Sequence, residues 1–319
     1  MIRWGIIGTG LISTTFAADL EQTDSGTVAA VGSRRRETAE EFGERFGVPN
    51  RHDSYEALVA DPDVDVVYVG TPHPMHHEDA MLALRAGKHV MVEKPFTMNA
   101  AEAEALVAEA RERGLFLMEA MWARFLPHMR EVQRLLADGV LGEIATVHAD
   151  HSQWFAEERS HRLFAPELGG GALLDLGIYP VSFASMVLGE PSRVLSLSDA
   201  AFTGVDAQTS ILLGYENGAH AVLTCTLRAV GPTRAAIVGT EARIEIDGPF
   251  YAPATFTLIP RRGEPQRMFD PPAEGGLRHE ADEVARCIEE GLPESPLMPL
   301  DETLAIMRTM DAVTRSASA

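Results

Sequence analysis

Short apolar runs recur through the first 120 residues, at Ile2–Ile7, Thr27–Val31, Val64–Val69, Val90–Glu93 and Leu115–Met118. Runs of this length bounded by Gly, Pro or polar turns read as buried strands. Between them lie stretches with helical start and stop signals. Ser54 reads as the N-cap of a helix from Tyr55 to Ala60, Asn99-Ala100-Ala101-Glu102 is a capping-box-like start, and Gly114 closes that helix. Strand and helix alternate, which predicts a doubly wound parallel sheet over residues 1–121. Beyond it the pattern changes. Pro127–Asp138 reads as a helix closed by Gly139, Ile144–Gln153 as a strand, Glu157–Leu168 as polar and irregular, and Ala172–Leu188 as a helix opened by three glycines. β-like runs then follow at Val194–Leu197, Gln208–Tyr215, Ala219–Leu227, Arg234–Val238, Ala242–Ile246 and Thr255–Ile259, with a hairpin turn at Glu216-Asn217-Gly218. Strands without intervening helices predict a large, mostly antiparallel open sheet. Helices at Leu277–Glu290 and Asp301–Ser316 end the chain. The expectation is α/β, with a second, α+β domain over residues 122–319.

Length agrees with two domains, each able to bury its own core, since the chain has 319 residues. Net charge is −20, which disfavours nucleic acid and anionic membrane as partners. Cys225 and Cys287 form no metal or redox spacing and suit a reducing compartment. The chain enters a strand at Ile2, without a signal-peptide pattern or an apolar run of membrane length, so a cytoplasmic location is expected.

Candidate chemistry begins at the first turn. Gly8-Thr9-Gly10-Leu11-Ile12-Ser13 follows the first strand and opens a helix. This is the dinucleotide fingerprint, with Ser in the third small position: Gly8 for the tight turn, Gly10 for backbone approach to a pyrophosphate, and free helix N–H groups for its charge. The second strand ends in Gly32-Ser33-Arg34-Arg35-Arg36, where an NAD enzyme usually places an acid. Ser33, Arg34 and Thr38 therefore read as contacts to the 2′-phosphate of NADP, with NAD as the lesser option. The competing account is a basic helix start paired with Glu37, Glu40 and Glu41. The fourth strand leads into Gly70-Thr71-Pro72-His73-Pro74-Met75-His76-His77; no Cys or spaced acid completes a zinc set, so no metal is expected, and Thr71, Pro72 and His76 are placed along the cofactor. Val90-Met91-Val92-Glu93-Lys94-Pro95 ends the next strand. Only Lys88 and Lys94 are lysines among 27 basic residues, so a lysine at a strand's carboxyl end suggests a task Arg cannot do. Glu93 and Lys94 are therefore assigned to the cofactor site. Farther on, Asp175 and Tyr179 stand four residues apart on one predicted helix. Tyr can act as acid or base, and a nearby cation favours its ionised form.

Gly8-Thr9-Gly10, Glu93-Lys94-Pro95 and the run Gly169-Gly170-Gly171-Ala172-Leu173-Leu174-Asp175-Leu176-Gly177-Ile178-Tyr179-Pro180 occur in this order. In that order and spacing the chain resembles the glucose–fructose oxidoreductase/inositol dehydrogenase family of NAD(P)-dependent oxidoreductases. Met118-Glu119-Ala120-Met121-Trp122-Ala123-Arg124-Phe125-Leu126-Pro127 is similar to its dihydrodiol/D-xylose dehydrogenase branch. Much of the wider family has His where this chain has Tyr179, which weakens an inositol assignment. The resemblance implies a dehydrogenase acting on CH–OH groups of a sugar or cyclic vicinal diol. It also implies a cis bond between Lys94 and Pro95, and Lys94 and Tyr179 as proton handlers supported by Asp175. A homodimer would form through the free face of the second sheet. Trp122, Arg124 and Phe155 are secondary candidates for substrate contact; Trp154-Phe155 at the end of its strand reads either as an aromatic wall of the substrate pocket or as core or interface. A non-catalytic dinucleotide- and sugar-binding regulator on the same fold is the alternative; a sensor needs no proton donor, so the joint presence of Lys94, Asp175 and Tyr179 argues for the enzyme.

Overall fold

The computed structural model describes residues 1–269 and 275–317, which form two compact units. The first contains Met1–Phe125 and Gly275–Thr303; the second contains Leu126–Glu274 and Leu304–Ala319. The sequence reading places all of 122–319 in one domain, whereas the segment Gly275–Thr303 belongs to the first unit.

In the first unit, strands and helices alternate as β1 (Ile2–Ile7), α1 (Leu11–Leu20), β2 (Gly26–Gly32), α2 (Arg36–Phe46), β3 (Asn50–His52), α3 (Tyr55–Val59), β4 (Val66–Val69), α4 (His76–Arg85), β5 (His89–Glu93), α5 (Ala100–Arg113) and β6 (Leu117–Ala120). The strand order is β3-β2-β1-β4-β5-β6, all parallel. The order reverses between β1 and β4, and at such a switch point open α/β sheets bind ligands outside the strands' carboxyl ends. Val66, Val67, Tyr68 and Val69 are fully buried, as a strand covered on both faces requires. Beside the switch point an aromatic column fixes α1: Phe16 stacks on Tyr68 at 4.1 Å and meets Trp4 edge-on at 5.2 Å. Such pairs are worth about 0.5–1.5 kcal/mol each beyond the area they bury. The three-residue β3 has no apolar run and went unseen in the sequence.

The second unit carries α6 (Pro127–Ala137), β7 (Ile144–Ser152), α7 (Ile178–Leu188), β8 (Arg193–Ala200), β9 (Asp206–Gly214), β10 (His220–Thr226), β11 (Ala235–Gly239), β12 (Ala242–Ile246), β13 (Phe256–Pro260) and β14 (Gln266–Met268). Its sheet has the order β14-β13-β12-β11-β7-β10-β9-β8 and is antiparallel except where β7 pairs with β10. Alternate residues divide cleanly: Ala221, Leu223 and Cys225 of β10 are buried while His220 and Val222 are exposed. Two further helices, α8 (Arg278–Glu289) and α9 (Leu300–Ala317), follow, and the division between the units falls within α9.

Two expectations need correction. The helix over 172–188 is not uniformly α: Leu173–Gly177 forms a π-helical turn before α7. The turn is held close to the sheet, for the Leu173 N–H donates to Asp206 Oδ2 at 2.7 Å and a Cβ on Gly177 would lie 3.0 Å from Cys225 Sγ. The helical stretch Pro166–Leu188 is also long and apolar enough to cross a membrane by length and composition, although the sequence reading found no such run. It is 72% buried in its apolar window, which is how the core helix of a folded unit passes the same test.

Candidate active site

At the end of β1 the backbone is shaped as a cradle for a phosphate-bearing group. Gly8 has φ +93°, and a Cβ there would lie 3.1 Å from the Gly70 carbonyl oxygen. A Cβ on Gly10 would meet nothing within 4 Å, so the backbone faces open space there. Gly10 is also the N-cap of α1, and no side chain caps the helix's first N–H groups. Helix donors left open at a glycine turn fit the pyrophosphate of a dinucleotide. Thr9 and Ile12 are half-buried and Leu11 is 85% exposed, so none of them closes the cradle. Ser13 is fully buried against Gly70, the close helix–strand packing its small side chain predicts.

At the end of β2, Ser33 is buried and its hydroxyl lies 2.5 Å from that of Thr38, one turn into α2. Arg34 and Arg35 are exposed, and among the described residues neither forms a salt bridge. Glu40 pairs instead with Arg36 at 3.5 Å and with Arg51 at 2.8 Å. The account in which acids of α2 neutralise the cluster therefore covers Arg36 but not Arg34, which lies instead near the Tyr55 hydroxyl and the Asp79 carboxyl.

The loop after β4 is held by its own side chains. The Thr71 hydroxyl donates to Asp79 Oδ2 at 2.7 Å, and burial raises the Asp79 pKa to about 6. His76 is fully buried, with Nδ1 2.9 Å from the Pro95 carbonyl and Nε2 2.9 Å from the Thr71 carbonyl. Burial pushes the imidazole pKa down against the pull of those two carbonyl oxygens. Both ring nitrogens thus face backbone carbonyls; the neutral ring donates its one N–H to one of them, and the buried imidazole packs as a clasp between the loop after β4 and the loop after β5. Pro72 is exposed at the start of the short turn His73–Met75.

Lys94 follows β5 directly, and the Lys94–Pro95 bond is cis. Three contacts hold its segment. The Tyr68 hydroxyl donates to Glu93 Oε1 at 2.6 Å, the Lys94 N–H donates to Glu93 Oε2 at 3.0 Å, and the Phe96 N–H donates to Glu119 Oε1 at 3.2 Å. Glu93 is buried, so it acts as the anchor of the Lys94 backbone. The other lysine is accounted for: Lys88 Nζ donates to the carbonyls of Asp61 and Val64, each at 2.7 Å. Lys94 stands instead at the carboxyl end of β5, directly before the cis bond.

Beneath this segment lie acids that sequence reasoning missed. Glu119 is fully buried on β6, and Glu280 is fully buried in the first turn of α8 with neither carboxyl oxygen hydrogen-bonded. Burial raises Glu119 to about 7, opposed by the Phe96 N–H and Arg124, and raises Glu280 well above the usual range, reinforced by Glu93, Asp19 and Glu119. An acid inside the apolar run Leu117–Ala120 was the available signal. A raised pKa means that the folded protein holds the proton more tightly than the unfolded chain. Ionising Glu119 therefore costs nothing below pH 4.5 and progressively more up to about pH 7. At about 1.4 kcal/mol per unit, wild-type stability should fall by about 3 kcal/mol across that window. Urea unfolding should show a flatter profile for Glu119→Gln, with a residual slope of the same sign from Glu280; equal slopes would mean that Glu119 does not carry the effect.

In the second unit, Asp175 lies on the π-helical turn and Tyr179 in the first turn of α7, and both are buried. Arg162 grips Asp175 with two hydrogen bonds of 3.1 Å, one to each carboxylate oxygen. The glycines allow this. A Cβ on Gly170 would lie 2.7 Å from the Leu163 carbonyl oxygen, so the segment bearing Arg162 can pass only over a glycine. Tyr179 is flanked by His151 and Tyr251, with ring centroids at 5.3 and 4.6 Å. Neither neighbour was foreseen, since both come from distant strands or loops.

The weaker substrate candidates fall in three settings. Trp122 is half-buried in the turn Trp122–Phe125. Arg124 is buried and bonded to Glu302 at 2.6 Å, a structural pairing within the first unit. Phe155 packs against the buried cluster that contains Leu163, Phe164, Leu176 and Leu227, and with Trp154 and Arg228 lines a cleft. Among the described residues no group of three or more potential ligands could hold a metal.

Residues 2–121 match the oxidoreductase family with NAD-binding Rossmann fold, and residues 129–245 match the GFO/IDH/MocA C-terminal domain. The trans-1,2-dihydrobenzene-1,2-diol dehydrogenase of Bos taurus is 37% identical over 99% of this chain and 96% of its own length. The human protein of the same name is 36% identical over the same shares. Among solved structures, a 3-ketoreductase from Actinomadura kijaniata in complex with NADP and TDP-benzene is 31% identical with a TM-score of 0.87. An aldose-aldose oxidoreductase from Caulobacter crescentus complexed with glycerol is 28% identical with a TM-score of 0.91; each structure covers 99% of this chain and 97% of its own. With both units matched and such relatives matched along nearly their whole length, the chain belongs to the GFO/IDH/MocA oxidoreductase family and is an NAD(P)-dependent dehydrogenase acting on CH–OH groups.

Proposed function

We propose that the protein uses NADP and moves a hydride between the nicotinamide and a carbinol or carbonyl carbon of a sugar or cyclic vicinal diol. The first unit binds the dinucleotide and the second binds the substrate. One observation carries the cofactor assignment: Arg34 is exposed at the end of β2 and forms no salt bridge among the described residues, at a place where an acid would select NAD. The names of the relatives, a dihydrodiol dehydrogenase and oxidoreductases of sugar-type compounds, support the substrate class.

The bound dinucleotide supplies the hydride acceptor or donor. The chain supplies the rest. Gly8 to Ile12 and the open N–H groups of α1 bind the pyrophosphate, while Ser33, Arg34 and Thr38 bind the 2′-phosphate. The clasp of His76 and the anchor of Glu93 fix the backbone that presents Lys94. Lys94 supplies a positive charge and a mobile proton at the end of β5. Tyr179 exchanges a proton with the substrate oxygen, and Asp175, oriented by Arg162, hydrogen-bonds the substrate. Turnover of a panel of sugars and vicinal diols, followed by nicotinamide absorbance with NADP and NAD in parallel, tests the reading.

Arg34→Ala should weaken NADPH binding by roughly tenfold to a hundredfold, the worth of one charge-assisted contact, and leave NADH nearly unchanged. Titration of both cofactors by protein fluorescence checks this, and equal losses would sink the 2′-phosphate assignment.

We also propose a homodimer through the second sheet. Leu195, Leu212 and Val222 are paired in register across β8, β9 and β10 and are 63%, 42% and 43% exposed, with Leu197 nearby at 71%. An apolar row on a sheet face fits an isologous partner, with more than about 1,000 Å² buried. Light scattering should give a dimer at micromolar concentration, and Leu212→Glu should give a monomer; a monomeric wild type would refute the interface.

A further inference from the structure

The rings beside Tyr179 are themselves tied together. His151, on β7, is 1% exposed, and its Nδ1 lies 3.2 Å from the Leu176 carbonyl oxygen. A carbonyl only accepts, so Nδ1 carries the proton, and in the neutral ring Nε2 must accept. The donor it meets is the Gln153 amide nitrogen at 2.9 Å. The same nitrogen donates to the Tyr251 hydroxyl oxygen, also at 2.9 Å. One NH₂ group thus links an imidazole and a phenol. Those two rings lie 4.3 Å apart and both face Tyr179, at 5.3 and 4.6 Å. The linker itself is held, since the Gln153 backbone N–H donates to the Thr226 carbonyl at 3.1 Å.

The pattern is specific in donor and acceptor. Only a side chain with two donors on one atom can bond the lone pair of Nε2 and the Tyr251 oxygen together. A carboxylate of the same shape offers acceptors to both, and a leucine offers nothing. Ring packing alone leaves a phenol free to rock within its slot, while a bonded pair of walls resists that motion. A proton-transfer group must be held within a fraction of an ångström of its working position, so the stiffness of this wall matters to the rate.

We propose that Gln153 is a positioning residue for Tyr179: its amide ties His151 and Tyr251 into one wall that holds the phenol. This rests on the reading of Tyr179 as the proton-transfer group, but the wall can be tested without turnover.

The experiment compares the full-length wild type with Gln153→Leu and Gln153→Glu, using nitrogen-15-labelled histidine and ring-labelled tyrosine. Tyr179→Phe assigns the Tyr179 signals. At neutral pH, wild-type His151 should show the Nδ1–H tautomer. Gln153→Glu should protonate both ring nitrogens, because Nε2 then faces an acceptor. The two sides of the Tyr179 ring should be inequivalent in the wild type and averaged in Gln153→Leu. With NADP and whichever of D-xylose or trans-cyclohexane-1,2-diol is turned over, Gln153→Leu should lower kcat by about tenfold or more and leave KM within about threefold. If the Gln153 variants do not fold, Tyr251→Phe removes only the hydroxyl that Gln153 bonds, and it should likewise average the Tyr179 ring and lower kcat. An Nε2–H tautomer in the wild type, an unchanged Tyr179 ring in Gln153→Leu, or an unchanged kcat would overturn the proposal. If the wild type turns over neither compound, the functional reading fails, and the tautomer and ring signals still decide whether Gln153 holds Tyr179.

Discussion

Lys94→Met is expected to remove turnover on every substrate the wild type uses while leaving NADPH affinity within a few-fold. Methionine keeps an unbranched apolar stem one atom shorter and deletes the ammonium with its charge and protons. The backbone around position 94 should survive, because Glu93, Glu119 and His76 hold it through contacts that the substitution leaves in place. Cofactor binding should survive because the cradle at Gly8 and Gly10 and the arginine at the end of β2 lie at other strand ends. The loss should reach or exceed the 10²–10⁴-fold typical of a general acid–base group, about 3–5 kcal/mol of barrier. Steady-state rates beside cofactor titration by fluorescence separate the two effects. A variant that keeps most of its rate would show that the proton is handled elsewhere. A wild type that turns over no alcohol or carbonyl, yet melts at a higher temperature with a sugar, would favour the regulator over the enzyme.

Tyr179→Phe is expected to lower kcat by about 10²–10⁴-fold with NADPH binding intact. The substitution keeps the ring that packs between His151 and Tyr251 and removes only the hydroxyl. Stability should therefore change little, and the limb of the pH–rate profile that reports the phenol should disappear. Persistence of that limb in an active variant would move the role to another group. His76 is a poor successor in this structure, since both its ring nitrogens face backbone carbonyls. Lys94 would be the next to test.

Much of the first unit was legible because its signals are local. Each buried strand announces itself as an apolar run, and the turn glycines and caps punctuate the runs. The N-caps Ser54 and Asn99 each accept the backbone N–H three residues on, as their spacing predicts. The strands β3 and β14 were not legible: each has three residues, mostly polar, and is defined only by the neighbour it pairs with. The π-helical turn was equally hidden, because it arises from the approach of Gly177 to Cys225 and from Asp206, whose neighbourhood exists only after β9 and β10 have formed.

The candidate site divides along the same line. The sequence by itself determined which residue types stand at the strand ends and on the glycine-led helix: the glycine cradle, the arginines after β2, the lysine before Pro95, and the Asp–Tyr pair. These follow from composition and short spacings, which do not depend on the rest of the fold. Only the tertiary structure decided what those residues lean on. It bonded His76 and Glu93 to the backbone of the Lys94 segment, paired Arg124 with Glu302 and Asp175 with Arg162, and set Glu119 and Glu280 in the interior. It also joined Gln153 to Tyr251, 98 residues away. The physical reason is that a hydrogen bond or a desolvated carboxyl is a property of a place, and a place is made by segments that only folding brings together.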